Sequence, residues 1–345
     1  MLYLSTTQGV FRVDPDTGKA APLGPRYTSV EALAVAGDTI AAAVTPDYGV
    51  PMRDPLRPSH RQGAVRSTDG GRTWSPVDGL TGQQVTALAS VNGGFAAGTD
   101  PAELLVSADA GKTWTRGQSL REMPGYERWT YPGVPHTPHV MLIAPHPREV
   151  STLYAGIEVG GIVCSTDCGA TWRVIGDGSG GGNGGGNGGV HPDIHGIAIS
   201  PNAPSVIYAA TPQGVYSSSD GGETWHQRNE GLERRYCRPV VVHQEDPDVA
   251  VVVGTHGASG FFGIPAARTG GAVYVTTNRG KTWQHVARGL PEPLQPTPSM
   301  VADVQHAGVF YLPLFSGQLF VTSDAGASWQ ELAAGLPPIL RAVAV

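Results

Sequence analysis

Two histidines stand at corresponding places before short apolar runs: His139 ahead of VMLIAP and His195 ahead of GIAISP. Superposed without a gap, these runs put both imidazoles in one register. Similar runs follow Glu31, Thr86, Arg238, Ser299 or Met300, and Arg341. If the runs are equivalent strands around one axis, a carboxylate, two imidazoles and two guanidiniums converge. Glu158 and His256 end neighbouring runs and approach the same space, while His136 and His191 sit on adjoining loops. Neutral imidazoles with a carboxylate suit Zn²⁺ or another divalent transition metal, and His139, His195 and His191 are the expected ligands. Without a metal, Arg238 and Arg341 would clamp a carboxylate or phosphate, with Glu31, His139 or His195 moving the proton. A third reading makes the ring a set of solvated polar groups in a wet channel.

Those runs must be positioned by strands. The chain has 345 residues, 48 of them glycine and 29 proline, with short β-branched runs broken by Gly, Pro, Asn and Asp. That is the pattern of an all-β protein rich in turns. One phrase recurs six times: STDGGRTW from Ser67, SADAGKTW from Ser107, STDCGATW from Ser165, SSDGGETW from Ser218, TTNRGKTW from Thr276 and TSDAGASW from Thr322. The spacing of ~40–60 residues belongs to propeller blades or a solenoid. The aspartate accepts hydrogen bonds from its own turn, glycine supplies positive φ, and the tryptophan fills space between sheets.

This octet resembles the Asp-box, or BNR repeat, of sialidase-like, sortilin-like and photosystem II assembly factor-like β-propellers. The resemblance covers nearly the whole chain. It implies a box on the turn between the third and fourth strands of each blade, away from the functional mouth. The boxes then read as turn staples, and Asn278 replaces the aspartate in one of them. Six boxes give six blades. The terminal ILRAVAV joins LYLSTTQ, GVFRVDPDTG and KAAPL as a seventh, with Asp14–Gly18 as a worn box. The expectation is a single seven-bladed domain over residues 1–345 with N-/C-terminal velcro closure, which removes exposed edges; a six-bladed ring with loose termini is the alternative.

Insertions fall on one rim: Asp47–Gly63, Leu120–Pro138, Gly178–Asp193 and Thr255–Gly271. Long loops on one face of a rigid scaffold carry function. Trp129, the one tryptophan outside a box, lies there with Tyr126 and Tyr131, rings able to stack on a sugar. The glycine-rich GSGGGNGGGNGG lacks the lysine and hydroxyl of a phosphate loop. Sialidase activity fits poorly, because the F/Y-R-I-P motif is missing and Tyr126–Glu127 are merely adjacent.

A net charge of −6 argues against nucleic acid or an anionic membrane as the main partner. The N-terminal MLYLSTTQGV has no basic stretch and no apolar core of the signal-peptide kind. Three cysteines do not form a disulfide framework, and the expected compartment is the cytoplasm. The expected function is a hydrolase or lyase acting on a small polar, anionic molecule at the channel mouth. The alternatives are a non-catalytic protein-binding assembly factor and a carbohydrate-binding propeller.

Overall fold

A computed structural model describes residues 1–25, 29–45, 63–91, 93–176, 189–257, 270–295, 297 and 299–345. The insertions at 47–62, 178–188 and 258–269 lie outside the described residues, the glycine-rich run among them. The described residues form seven four-stranded antiparallel sheets arranged in a ring, an all-β, seven-bladed β-propeller.

The first six blades begin with the inner strands Ser29–Ala36, Gln84–Val91, Val140–Pro145, Gly196–Ile199, Tyr236–Val242 and Val301–Ala302. The seventh is closed by both ends of the chain. Its inner strand is Ile339–Ala344, followed by Leu2–Thr6, Gly9–Val13 and Ala20–Gly24. Leu2 pairs with Ala344 and Leu4 with Ala342, and the N-terminal ammonium donates to the Val345 carbonyl at 2.8 Å.

An apolar cluster occupies every junction between successive blades. Blades three and four share Tyr154, Ile162, Ile194, Ile207, Tyr216 and Trp225, for example, and blades seven and one share Tyr3, Val10, Val30, Leu33 and Ile40. The core is therefore a set of radial wedges, each made from facing sheets.

Each box closes the hairpin between a third and a fourth strand, with the same bonds at its first hydroxyl and at the Oδ1 of its aspartate or asparagine. In the fourth blade Ser218 Oγ donates to Asp220 Oδ1 at 2.7 Å and accepts from Gly222 N at 2.8 Å. Asp220 accepts Thr224 N at 2.9 Å on Oδ1 and Thr224 Oγ1 at 2.6 Å on Oδ2. Gly222 has φ +97°, and a Cβ there would stand 2.7 Å from Ile175 of the preceding blade. Trp225 Nε1 donates to Gly222 O at 2.9 Å and to Ile175 O at 3.3 Å, so the staple also fastens two blades. Asn278 serves as well as aspartate: its Oδ1 accepts Thr282 N, and its Nδ2 donates to Thr282 Oγ1 at 2.9 Å. Asp14 keeps the carboxylate half of the design, accepting Thr17 N and Thr17 Oγ1, both at 2.9 Å.

Several of the inner strands are irregular at the channel mouth. The register against the second strand shifts between Val30 and Ala32, between Val85 and Ala87, and between Cys237 and Val240. Glu31, Thr86, and Arg238 with Pro239 are therefore bulged out of the ladder. Pro239 has no N–H to give it, and a bulge re-aims the side chain beside it.

Candidate functional site at the channel mouth

His139 lies immediately before Val140–Pro145, and Glu158 immediately after its partner strand Leu153–Ile157. Glu158 N donates to His139 O at 3.1 Å, prolonging the pairing by one step. Their side chains meet, His139 Nε2 standing 2.7 Å from Glu158 Oε2, both almost fully buried. The edge of Tyr131 packs against His139 with centroids 5.4 Å apart. Tyr131 is only 4% exposed, so its ring supports the imidazole and has no free face for a sugar.

The next blade supplies Asp193 and His195 from the bend that leads into its inner strand Gly196–Ile199. His195 N donates to Ala210 O at 2.9 Å, which fixes the backbone. Its Nδ1 lies 2.9 Å from Cys237 O, and since a carbonyl only accepts, Nδ1 carries the proton of that bond. Nε2 approaches Asp193 Oδ1 at 3.2 Å without the alignment of a hydrogen bond, and both buried atoms lack a hydrogen-bond partner. Donor atoms of Glu158, Asp193 and His195 all lie within 4.8 Å of one another. Burial works against ionisation of Asp193, but His195, His191 and Arg238 outweigh it and hold the carboxyl below its ordinary range.

His191 has a different place from the one expected. Its Nδ1 accepts Asp193 N at 3.1 Å, steadying the loop, and burial lowers its pKa. Neither His191 nor His139 belongs to the converging trio, whose other members are carboxylates.

Across the mouth stand the guanidiniums. Arg238 sits over the Tyr236 ring, 5.7 Å from its centroid, and the same ring lies 4.9 Å from that of His195. Burial pushes the Tyr236 phenol up, with Asp193 and Glu158 adding to the effect and Arg238 opposing it. Arg341 is brought down to about 10, first by burial and then by Arg238, against a pull upward from Glu31. Arg341 is half-buried. Glu31 accepts Ser29 Oγ at 3.0 Å. These mutual effects place Glu31, Arg238 and Arg341 in one electrostatic neighbourhood.

Other expected residues stand apart. His256 is exposed beyond Ala250–Thr255, near Gly270. Trp129 is half-buried against Gly160 and meets Tyr126 at 5.2 Å with the rings tilted by 52°, which is not a flat platform. Thr86 Oγ1 donates to Val140 O at 2.7 Å, a tie between blades two and three. Ser299 Oγ accepts Ala342 N of the next blade, and Met300 belongs to the core.

The common register assigned to His139 and His195 needs correction. Ile143 lies opposite Ala155 and Ile197 opposite Ala209, while the box serines Ser165 and Ser218 lie opposite Leu153 and Ile207. Met141 is therefore level with His195, and His139 stands two residues earlier. An even shift keeps it on the same face, and the bulge at Met141 and the reach of Glu158 bring it into the cluster.

The segment 65–76, holding the first box, matches the family model for the BNR/Asp-box repeat. The chain is a seven-bladed β-propeller that carries Asp-box repeats. Among solved structures, this propeller is similar to YCF48 from Cyanidioschyzon merolae, at 13% identity and a TM-score of 0.58, over 89% of this chain and 86% of that one. It is also similar to YCF48 bound to D1 peptide, at 15% identity and 0.56, over 96% and 83% of the two chains. At such identities the likeness speaks for the fold alone. A xyloglucanase of Hypocrea jecorina (strain QM6a) is 24% identical over 252 residues, 72% of this chain and 26% of that enzyme. The propeller thus spans about a quarter of the length of that relative.

Proposed function

We propose that the Asp-box propeller binds a small polar anion at its channel mouth and processes it by hydrolysis. What supports the reading is the grouping at the mouth: Arg238 lies over the Tyr236 ring, that ring stands 4.9 Å from His195, and Arg341 is near enough for the Arg238 charge to oppose its own. Neighbouring guanidiniums repel, and an anion between them relieves that cost while using their forked donors. The His139–Glu158 pair supplies the proton chemistry: an imidazole on a carboxylate at 2.7 Å can give a proton to a leaving group and take one from water.

The test is thermal denaturation with inorganic phosphate, glucuronate or glucose, followed by turnover of p-nitrophenyl phosphate and p-nitrophenyl glucuronide. The anions should raise the melting temperature and glucose should not. Arg238→Met and Arg341→Met should remove that shift, and His139→Gln should abolish turnover while keeping the shift. Equal responses to glucose and to the anions, or shifts unchanged in both arginine variants, overturn the reading.

The xyloglucanase match favours a second reading, in which the ligand is a neutral glycan. A cleft of about 550 Å³ lies on the same rim, lined by Gln83, Gln84, Asp100, Glu103, Arg116 and Arg121, polar groups of the kind that bind sugar hydroxyls. Saturable binding of a xyloglucan oligosaccharide, weakened by Gln84→Ala and untouched by Arg341→Met, would favour the cleft.

A further inference from the structure

We propose that Glu158, Asp193 and His195 form a binding site for one divalent transition metal ion, of the zinc class. The site stands on its own geometry, whatever the arginines hold.

The decisive feature is the facing of His195 and Asp193. Because Nδ1 gives its hydrogen to Cys237 O, Nε2 is the nitrogen whose lone pair is left for a ligand. That lone pair faces an oxygen of Asp193 at 3.2 Å, in a place where the imidazole is fully buried and the carboxylate 13% exposed. A carboxylate oxygen and an imidazole nitrogen at that separation, neither with a hydrogen-bond partner, can be bridged by a cation. Glu158 adds a second carboxylate within 4.8 Å. Such a pocket asks for positive charge at its centre.

The spacing identifies the kind of charge. Ligands bonded at 2.0–2.2 Å in a tetrahedron stand about 3.3 Å apart, close to the His195–Asp193 separation. An imidazole with carboxylates is a donor set for zinc and its neighbours in the first transition row, whereas calcium and magnesium prefer oxygen alone. Three protein donors leave a fourth position for water or substrate, the arrangement of catalytic rather than structural zinc.

The surroundings match as well. Metal-bound histidines commonly give their second nitrogen's proton to a carbonyl, as His195 does to Cys237. Ligating carboxylates are themselves held, and Glu158 is held by His139 at 2.7 Å. His139 is thus a positioning residue for the ion, and His191 steadies the Asp193 backbone.

The experiment uses full-length protein freed of any histidine tag, stripped with a chelator and titrated with Co²⁺ and then Zn²⁺. One equivalent of Co²⁺ should bind with the visible absorption of a tetrahedral or five-coordinate site, and Zn²⁺ should displace it. His195→Ala and Asp193→Asn should lose saturable binding. His139→Gln should weaken it by about 10–100-fold. Circular dichroism and melting of the metal-free variants identify any that fail to fold, and Asp193→Asn, isosteric with the original, keeps the test decisive. Absence of saturable binding overturns the proposal, as does binding unchanged in both ligand variants. A nitrogen NMR spectrum showing His195 doubly protonated at neutral pH in protein that takes up no metal also overturns it, because a proton would then fill the pocket.

Discussion

Arg341 pairs with Ser5 across the seam of the ring, so a residue of the channel mouth is held by contact between the first and last strands. Closure and site are thereby coupled. Removing residues 339–345 should expose the edge of Leu2–Thr6 and delete the guanidinium together. The expected results are a lower melting temperature and self-association on gel filtration. Leu4→Ala weakens the seam without touching Arg341: Leu4 is fully buried, and the loss should be about 2–5 kcal/mol in chemical denaturation.

The boxes predict an acid limb of stability. Hydrogen bonds from Thr171, side chain then backbone, bring Asp167 from 3.8 to about 2. A carboxyl whose folded pKa is depressed gives its full stabilisation above the unfolded value and loses it as the pH falls through the folded one. Melting temperature should therefore fall between about pH 4 and pH 2, beyond the decline of general acid destabilisation. Asp167→Ala should lower the melting temperature by about 2–4 °C at pH 7. Asp167→Asn should cost less and flatten part of the acid limb, because Asn278 already makes the corresponding bonds.

Cysteine chemistry should be sharply divided. Burial pushes the Cys237 thiol up to about 12 and raises Cys164, whereas Cys168 is exposed in a box turn. Reactivity follows the thiolate and its access. Iodoacetamide on native protein at pH 7.5 should label Cys168 alone by peptide mass spectrometry, and denaturation should release the other two. Labelling of Cys237 in folded protein would contradict the burial.

Blades were readable in the sequence because each joins a local signal to a periodic one. The box fixes a hairpin, and the strands around it have lengths that leave little choice of pairing. Closure of the seventh blade followed from matching the incomplete fragments at the two ends. The site was harder. Superposing Pro145 on Pro201 set His139 and His195 two residues out of step, because Pro145 lies opposite Leu153 within its strand whereas Pro201 lies two residues past Ile199, which is opposite Ile207. Asp193 and Tyr236 escaped notice since neither opens the aligned run of its strand. For Asp193 a signal existed: in HPDIH it precedes His195 by two, near enough along the chain for the two side chains to meet. The replacement of His139 and His191 by carboxylates in the converging trio depends on distances between blades, which spacing along one chain does not encode.

The bulges at Glu31 and Arg238 separate what the scaffold needs from what the pore displays. A residue standing outside the ladder can be exchanged without rewriting any rung of the sheet. One architecture can thus be refitted for different cargoes by altering a few ejected positions, while the fasteners at the opposite pole keep the wheel in shape.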